Sequence, residues 1–203
     1  MTSLRREDRD LPGLTVLALL LTGPRHTYEM QRLMVVTHKD FVTGLPRSMY
    51  HAVGKLEKAA LIEVAGVERE EGRPERTVYA LTGAGREALR DRVRRLLAVP
   101  DPDATLLTAA LSFVGVLPVA DAAAALRARS EELSRRADGN RAAAGEVPHL
   151  PRVLLVETEF ETARLDAERA FVDGLVADLD AGVLTWPADM RELVLPEGVP
   201  PVT

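Results

Sequence analysis

Apolar residues at helical spacing predict three short amphipathic helices in the first 60 residues. The first extends over residues 12–22 and the second over residues 27–38, with Thr27 as a candidate N-cap. The third extends over residues 47–60, after a turn that contains glycine and proline. Its apolar side chains lie on one face, and the opposite face presents Ser48, His51, Lys55 and Lys58. Three such helices in succession indicate a small helical domain.

The spacing of apolar residues changes from helical to alternating after the third helix. Residues 62–67 predict a strand, residues 68–75 a charged turn with glycine and proline, and residues 76–81 a second strand. Thr82 then caps a fourth amphipathic helix. The order helix, helix, helix, hairpin, helix is typical of a winged helix-turn-helix domain, which we place at residues 1–99.

A stiff Pro-Asp-Pro-Asp segment at residues 100–103 separates this domain from the rest of the chain. Beyond it we expect a helical domain over residues 103–186 and an irregular, proline-rich tail over residues 187–203. The predicted fold class is therefore mostly α. It combines a winged helix-turn-helix of three helices, a β-hairpin wing and a fourth helix with a helical, coiled-coil-like domain for dimerisation or effector binding.

The C-terminal half predicts one short and two long helices, over residues 104–116, 118–144 and 152–181. In the first long helix, apolar residues recur at every seventh position. Such narrow stripes cannot be buried completely in so small a domain, so we expect these helices to pair with those of a second chain. The side chains expected at that dimer interface are Leu126, Leu133, Val156, Phe160, Ala163, Ala167, Phe171 and Leu175.

Formal charge is distributed unevenly along the chain, although the net charge is only −5. Residues 1–99 contain 17 Lys and Arg against 13 Asp and Glu, whereas residues 100–203 contain 9 against 18. A mildly basic half and an acidic half suggest two different tasks.

The composition excludes several kinds of chemistry. The chain has no cysteine, which excludes disulfides, thiolate metal sites and cysteine nucleophiles. Neither a secretory signal nor an apolar run long enough to span a membrane is visible, so we expect a cytoplasmic protein without a membrane partner. No serine, histidine and aspartate are arranged as in a catalytic site. We therefore predict that the protein is not an enzyme and has no cofactor and no metal.

Three sequence motifs follow one another at defined distances in the predicted winged domain. They are HTYEM over residues 26–30, SMYHAVGKLEKAALI over residues 48–62, and GRP over residues 72–74 followed by YALTGAG over residues 79–85. Together they resemble the PadR family of transcription regulators, over about the first 95 residues. The long C-terminal helices are similar to the larger subgroup of that family, whose second domain dimerises.

Two residues depart from the family pattern that the motifs resemble. Ala60 and Thr27 stand where the family has glycine. A residue other than glycine in a left-handed helix cap costs about 1 kcal/mol. We therefore expect the end of the third helix to differ locally from that of its relatives.

The resemblance implies that the third helix enters the major groove of DNA with its first residues near the base edges. Arg47 is expected to pair with guanine, and Ser48 and Tyr50 to contact phosphate oxygens. The N-terminus of the second helix would bind phosphate, and arginines of the wing would reach flanking DNA. The expected DNA contacts are Arg47, Ser48, Tyr50, His51, Lys55, Thr27, Tyr28, Arg73 and Arg76. The alternatives are core packing for the two tyrosines and a solvated surface for His51 and Arg73.

The resulting hypothesis is a homodimeric, sequence-specific regulator of transcription, interpreted as a repressor. It binds a two-fold symmetric operator in double-stranded DNA, with half-sites about 34 Å apart. The hypothesis includes a small apolar or aromatic effector that relieves repression, with Phe113, Phe160, Phe171 and Trp186 as its candidate lining. The simpler interpretation of these four side chains is that they belong to the core. The alternative function is a protein–protein interaction module on a winged-helix scaffold, which a steep loss of DNA affinity with salt would exclude.

Overall fold

The computed structural model describes residues 3–37, 41, 42, 44, 47–68 and 75–188. The helices in these ranges are α1 (Leu11–Leu20), α2 (Thr27–Val36), α3 (Arg47–Lys58), α4 (Gly83–Ala98), α5 (Ala104–Ser112), α6 (Val119–Gly145) and α7 (Val156–Asp180). The strands are β1 (Arg25–His26), β2 (Ile62–Glu68) and β3 (Arg76–Leu81). Short 3-10 turns lie at Arg6–Arg9, Val114–Val116 and Arg152–Leu154. Most of the predicted tail, residues 189–203, lies outside the described residues, as does Arg73.

The predicted fold class is confirmed, because three helices, a hairpin wing, a fourth helix and a helical C-terminal half follow in the expected order. One core runs through both halves, from α1 through α4 to α6 and the second half of α7. The division into separate domains at residues 100–103 stays a prediction.

The wing contains one strand more than the sequence predicts. The three strands form an antiparallel sheet in the order β1-β3-β2, in which Arg25 pairs with Tyr79 and Ile62 pairs with Leu81. The register shifts between Val64 and Gly66, as in a β-bulge. The two residues of β1 connect the segment before α2 to the wing, so the wing is fixed to the helices at its inner edge.

Several helix ends differ from the prediction, and three of the differences have a clear local reason. The cap of α2 is His26 rather than Thr27, because the Glu29 amide donates to His26 Nδ1 at 3.0 Å. Helix α5 ends at Ser112 rather than at residue 116, because the backbone leaves the helical region at Phe113. Helix α7 begins at Val156 rather than at residue 152, after a 3-10 turn.

The two long helices pack mainly against each other within one chain. Leu133 and Ala137 of α6 form a small buried cluster with Leu165 of α7. Leu126 of α6 belongs to the main core, together with Val172 of α7. The seven-residue stripe of α6 is therefore covered by the same chain, which corrects the expectation that Leu126 and Leu133 face a second one.

The junction between α3, β2 and α4 is built on a close backbone approach. Ala60 has a φ of 55°, so it adopts the left-handed cap conformation in spite of its side chain. The local difference that the sequence led us to expect at this helix end is not seen in the φ angle of Ala60. The Thr82 hydroxyl lies 2.9 Å from the Ala60 carbonyl oxygen and 3.0 Å from that of Leu61, and it accepts a hydrogen bond from the Gly85 amide at 3.0 Å. A Cβ atom at Gly85 would overlap the Leu61 carbonyl oxygen. Glycine at this position thus lets α4 approach the end of α3.

Substituting Gly85→Ala should destabilise the protein by about 1–3 kcal/mol, because the backbone of Leu61 would have to move away. Gly83→Ala, in the same helical turn, is the matched control, since its Cβ would meet no atom of the described residues within 4 Å. Urea unfolding followed by circular dichroism measures both free energies of unfolding. Equal unfolding free energies for the two variants would contradict this account of the junction.

Candidate nucleic-acid interface

Helix α3 has one buried side and one exposed side. Met49, Ala52, Val53 and Leu56 are buried in the core. At about 100° per residue, the centre of the opposite side is formed by residues that are all exposed. We call them the exposed α3 face: Arg47, Tyr50, His51, Gly54 and Lys58. Because the buried side is fixed by packing, the direction in which this face points is fixed as well.

Gly54 lies at the centre of the exposed α3 face and is the residue that sequence reasoning missed. Glycine in a helix interior costs about 0.8–1.0 kcal/mol relative to alanine. No packing requires it here, since a Cβ atom at Gly54 would meet no atom of the described residues within 4 Å. The glycine in the middle of a polar helix face was visible in the sequence and could have identified this residue. Because Gly54 has no side chain, another molecule can approach the helix backbone closely at this position.

Lys55 and Ser48 lie at the edge of α3 rather than at the centre of its exposed face. Lys55 Nζ donates to Asp10 Oδ2 at 2.6 Å, and Asp10 also caps α1 by accepting from the Gly13 amide at 3.0 Å. Burial raises the pKa of the Asp10 carboxyl, but these two hydrogen bonds outweigh burial, so the pKa lies below its ordinary value. Lys55 is therefore held by an ionised carboxylate, and Ser48 is half-buried.

A groove of about 490 Å³ lies beside the exposed α3 face, between the N-terminus of α2 and strand β3. Tyr28 is 59% exposed, which excludes a core role for this side chain. Its ring stacks on His26 with 6.3 Å between ring centroids, and the Arg76 guanidinium lies 6.0 Å from its centroid. The residues lining the groove are His26, Thr27, Tyr28, Tyr50, Val53, Gly54, Glu75, Arg76, Thr77 and Tyr79.

The groove presents hydroxyl groups and a guanidinium together with the Glu75 carboxylate. Burial and the nearby Glu57 carboxylate both raise the pKa of Tyr79, so its hydroxyl remains neutral. The Thr27 side chain is buried at the first residue of α2. A ligand at this helix end would therefore meet the backbone of Thr27 rather than its hydroxyl. Six of the nine expected DNA contacts lie on the exposed α3 face or line this groove: Arg47, Tyr50, His51, Thr27, Tyr28 and Arg76.

Residues 16–91 match the model of the "Transcriptional regulator PadR-like family". We call this matched segment the PadR-like domain. Among curated proteins, none matches the chain. The match spans α1 to the middle of α4, and so includes the whole exposed α3 face and the groove.

Several solved structures are similar to the chain at low sequence identity. Bacillus subtilis PadR in complex with operator DNA is 17% identical, with 83% of this chain and 98% of that chain covered and a TM-score of 0.40. The protein smu.1604c from Streptococcus mutans UA159 is 22% identical, with 81% and 98% covered and a TM-score of 0.39. Bacillus subtilis PadR in complex with p-coumaric acid is 16% identical, with 84% and 99% covered and a TM-score of 0.36.

The geometry gives physical reasons for two of the motifs in the PadR-like domain. In HTYEM, His26 caps α2, Glu29 forms an ion pair with Arg25, and Met30 is fully buried. In YALTGAG, Thr82 and Gly85 hold α4 against the end of α3. These residues of the two motifs therefore fix the frame around α3, whereas Tyr28 is exposed.

The four candidate ligand-binding aromatics do not come together within one chain. Phe113 is buried in the core and packs edge-to-face on Phe41, with 5.9 Å between ring centroids. Trp186 also packs against the core, and its Nε1 donates to the Leu117 carbonyl oxygen at 2.8 Å. Phe160 and Phe171 are exposed on α7, separated by three helical turns. The simpler interpretation holds for Phe113 and Trp186, which are core residues.

The C-terminal half presents one continuous apolar surface outside the PadR-like domain. Five of the eight expected dimer residues are exposed on one face of α7, opposite the face buried against α6. We call them the α7 stripe: Val156, Phe160, Ala163, Ala167 and Phe171. Leu175 is half-buried against the core, and Leu126 and Leu133 are covered as described above.

Two further classes of site have no candidate among the described residues. No group of three or more His, Asp or Glu side chains among them is placed to hold a metal ion. In the same part of the chain, every helix is too short or too polar to cross a bilayer.

Proposed function

We propose that the chain is a homodimeric, sequence-specific regulator of transcription that binds double-stranded DNA and acts as a repressor. The observation that carries the proposal is the exposed α3 face. It combines two cations, a histidine, a tyrosine and a mid-helix glycine on a side of the helix that no other part of the described chain covers. A helix of this kind fits the major groove, which is wide enough for one helix.

Each residue of the exposed α3 face suits a different part of DNA. Arg47 lies in the first turn of α3, where a guanidinium can bind the O6 and N7 atoms of guanine. His51 lies one turn further and suits a base edge, whereas Lys58 at the other end of α3 suits a phosphate. Gly54 between them lets the helix axis lie deeper in the groove, because it adds no side chain.

The Tyr28 and Arg76 pair beside the groove extends the same surface. A guanidinium that rests on an aromatic ring keeps its charge and loses little entropy on binding a phosphate. Contacts to the sugar–phosphate backbone fix the register of a protein on DNA without reading sequence. We assign this pair to the backbone that flanks the half-site.

Dimerisation is proposed to use the α7 stripe. Phe160 is 69% exposed, and a row of apolar side chains along about four turns of one helix is unfavourable in water. A second copy, related by a two-fold axis, would cover the stripe with its own. Two α3 faces would then read half-sites about one helical turn, or 34 Å, apart.

The proposal includes an effector that relieves repression. A small apolar or aromatic molecule would bind between the two α7 stripes, beside Phe160 and Phe171, at the proposed dimer interface. Bacillus subtilis PadR in complex with p-coumaric acid supports this class of ligand by analogy.

The proposal predicts that the chain recovers a preferred duplex from a random pool and binds it with steep salt dependence. Arg47→Ala should weaken binding to that duplex by about tenfold or more, because one guanine contact is lost. Arg127 is an exposed residue of α6, and Arg127→Ala removes the same charge outside the proposed interface. The affinity of this variant should stay within about twofold of that of the parent chain. Fluorescence anisotropy at several salt concentrations measures both. Recovery of no duplex, or equal losses for both variants, would favour the protein-interaction alternative.

Replacing Gly54 by alanine should change the free energy of unfolding and the DNA affinity in opposite senses: stability should rise and affinity should fall. Gly54→Ala is expected to raise the free energy of unfolding by about 0.5–1 kcal/mol, because alanine is the better helix former. The added methyl group should also reduce DNA affinity by about five- to tenfold, because it holds α3 away from the bases.

The matched control is Gly139→Ala, also exposed in a helix interior with no described atom near its Cβ. It should give the same gain in stability with unchanged DNA affinity. If Gly54→Ala binds DNA as tightly as the parent chain, close backbone approach is not used.

Sedimentation velocity tests the α7 stripe. The chain should sediment as a dimer at micromolar concentration, and Phe160→Glu should weaken the dimer by about tenfold or more, since a charge would be buried in an apolar contact. Val183→Glu places the same charge on an exposed apolar residue outside the stripe and should leave the dimer intact. A monomeric parent chain, or a fully dimeric Phe160→Glu variant, would remove the dimer from the proposal.

A further inference from the structure

Arg129 is a buried cation in the middle of α6. It is 2% exposed, although arginine is almost never fully buried unless it is paired. Burial lowers the pKa of its guanidinium, so the charge is costly at this position. A buried ion pair is weak evidence for stability, because apolar residues of similar size often serve as well or better. A contribution to stability therefore does not explain Arg129, whereas the geometry of its contacts indicates another role.

The guanidinium of Arg129 joins three helices. Its Nη1 donates to the carbonyl oxygens of Leu96 and Val99, both at 3.0 Å, at the C-terminal end of α4. Its Nε donates to Glu168 Oε1 of α7 at 2.7 Å, and Nη2 lies at the same distance from that oxygen. These α4 carbonyls have no partner within their own helix, and a cation there also opposes the negative end of the helix dipole.

Apolar packing between α4 and α6 leaves a cleft of about 310 Å³ on one side, lined by Ala98, Val99 and Ala128 and by charged side chains that reach solvent. A planar guanidinium that binds a carboxylate and two carbonyl groups at once is more restrictive than apolar contacts, because it accepts few orientations. Arg129 thus makes directional contacts between the C-terminal end of α4 and the α6–α7 pair.

We infer that Arg129, held by Glu168, is a positioning residue that fixes the angle between α4 and the α6–α7 pair, and so sets the half-site spacing that the dimer accepts. The inference rests on the proposed function. Helix α4 is attached to α3 through Thr82 and Gly85, and α7 carries the proposed dimer stripe. A change of angle at this junction therefore moves the two exposed α3 faces relative to each other.

The spacing of the half-sites provides the test. Each base pair inserted between them moves one half-site by about 3.4 Å and rotates it by about 35°. The parent chain should lose about tenfold in affinity when the spacing differs by one or two base pairs from the best one. Arg129→Met should flatten this profile to about threefold, while its affinity for a duplex with a single half-site stays unchanged.

Arg136→Met is the matched control on the same helix, because Arg136 is only half-buried and pairs with Glu132 within α6. It should keep the spacing profile of the parent chain. Arg129→Lys and Glu168→Gln are milder variants that keep a cation or an amide oxygen in place, and both should flatten the profile partially. They provide the test if Arg129→Met does not fold by circular dichroism.

Sedimentation velocity must show that each variant remains dimeric, so that a flattened profile reports the angle rather than dissociation. Folded, dimeric Arg129 variants that keep the parent profile would overturn the inference and leave the proposed function intact. A parent chain that binds DNA without spacing dependence would overturn it as well. A parent chain that binds no duplex would instead overturn the proposed function, and the inference with it.

Discussion

Burial of one side of α3 is the constraint on which the rest of the structure depends. Met49, Val53 and Leu56 each gain about 1.5–3 kcal/mol from leaving water, so the helix cannot rotate about its axis without losing much of the stability of a small domain. The exposed side is fixed as a consequence. Its direction is then set by the end of α3, where Thr82 and Gly85 hold α4 close.

Helix α4 connects α3 to the N-terminal segment and to the C-terminal helices. Arg92 donates to the Asp10 carbonyl oxygen at 2.6 Å, and Arg95 lies 2.7 Å from the fully buried Asp8 carboxylate. These contacts fix the N-terminal segment on the C-terminal half of α4, and Arg129 binds carbonyl oxygens at the same end of that helix. Directional ionic contacts therefore lie where helices of different parts of the chain meet, and apolar packing fills the space between them.

The sequence predicts the fold well because its periodicity is local. Four helices and a hairpin follow from spacing within 100 residues, and the cap residue Thr82 was predicted. The left-handed conformation of Ala60 was not, because the sequence led us to expect a different end of α3. The centre of the α3 face was predicted less well. Ser48 and Lys55 were placed there, but the partner of Lys55 is Asp10, 45 positions away in sequence, and no local pattern contains that contact.

The pairing of the long helices shows a second limit of sequence patterns. An apolar stripe shows that a helix face is covered, but not whether the covering helix belongs to the same chain. Leu126 and Leu133 are covered by their own chain, whereas Phe160 and Phe171 are exposed in it. The His26 cap and the two-residue strand β1 were missed because short elements have no period to detect.

The most direct test of the central claim, that paired α3 faces read one duplex, is a hydroxyl-radical footprint on a sequence recovered from random DNA. We predict two protected patches related by two-fold symmetry, on one side of the duplex and about one helical turn apart. A single asymmetric patch, or uniform cleavage along the duplex, would contradict it.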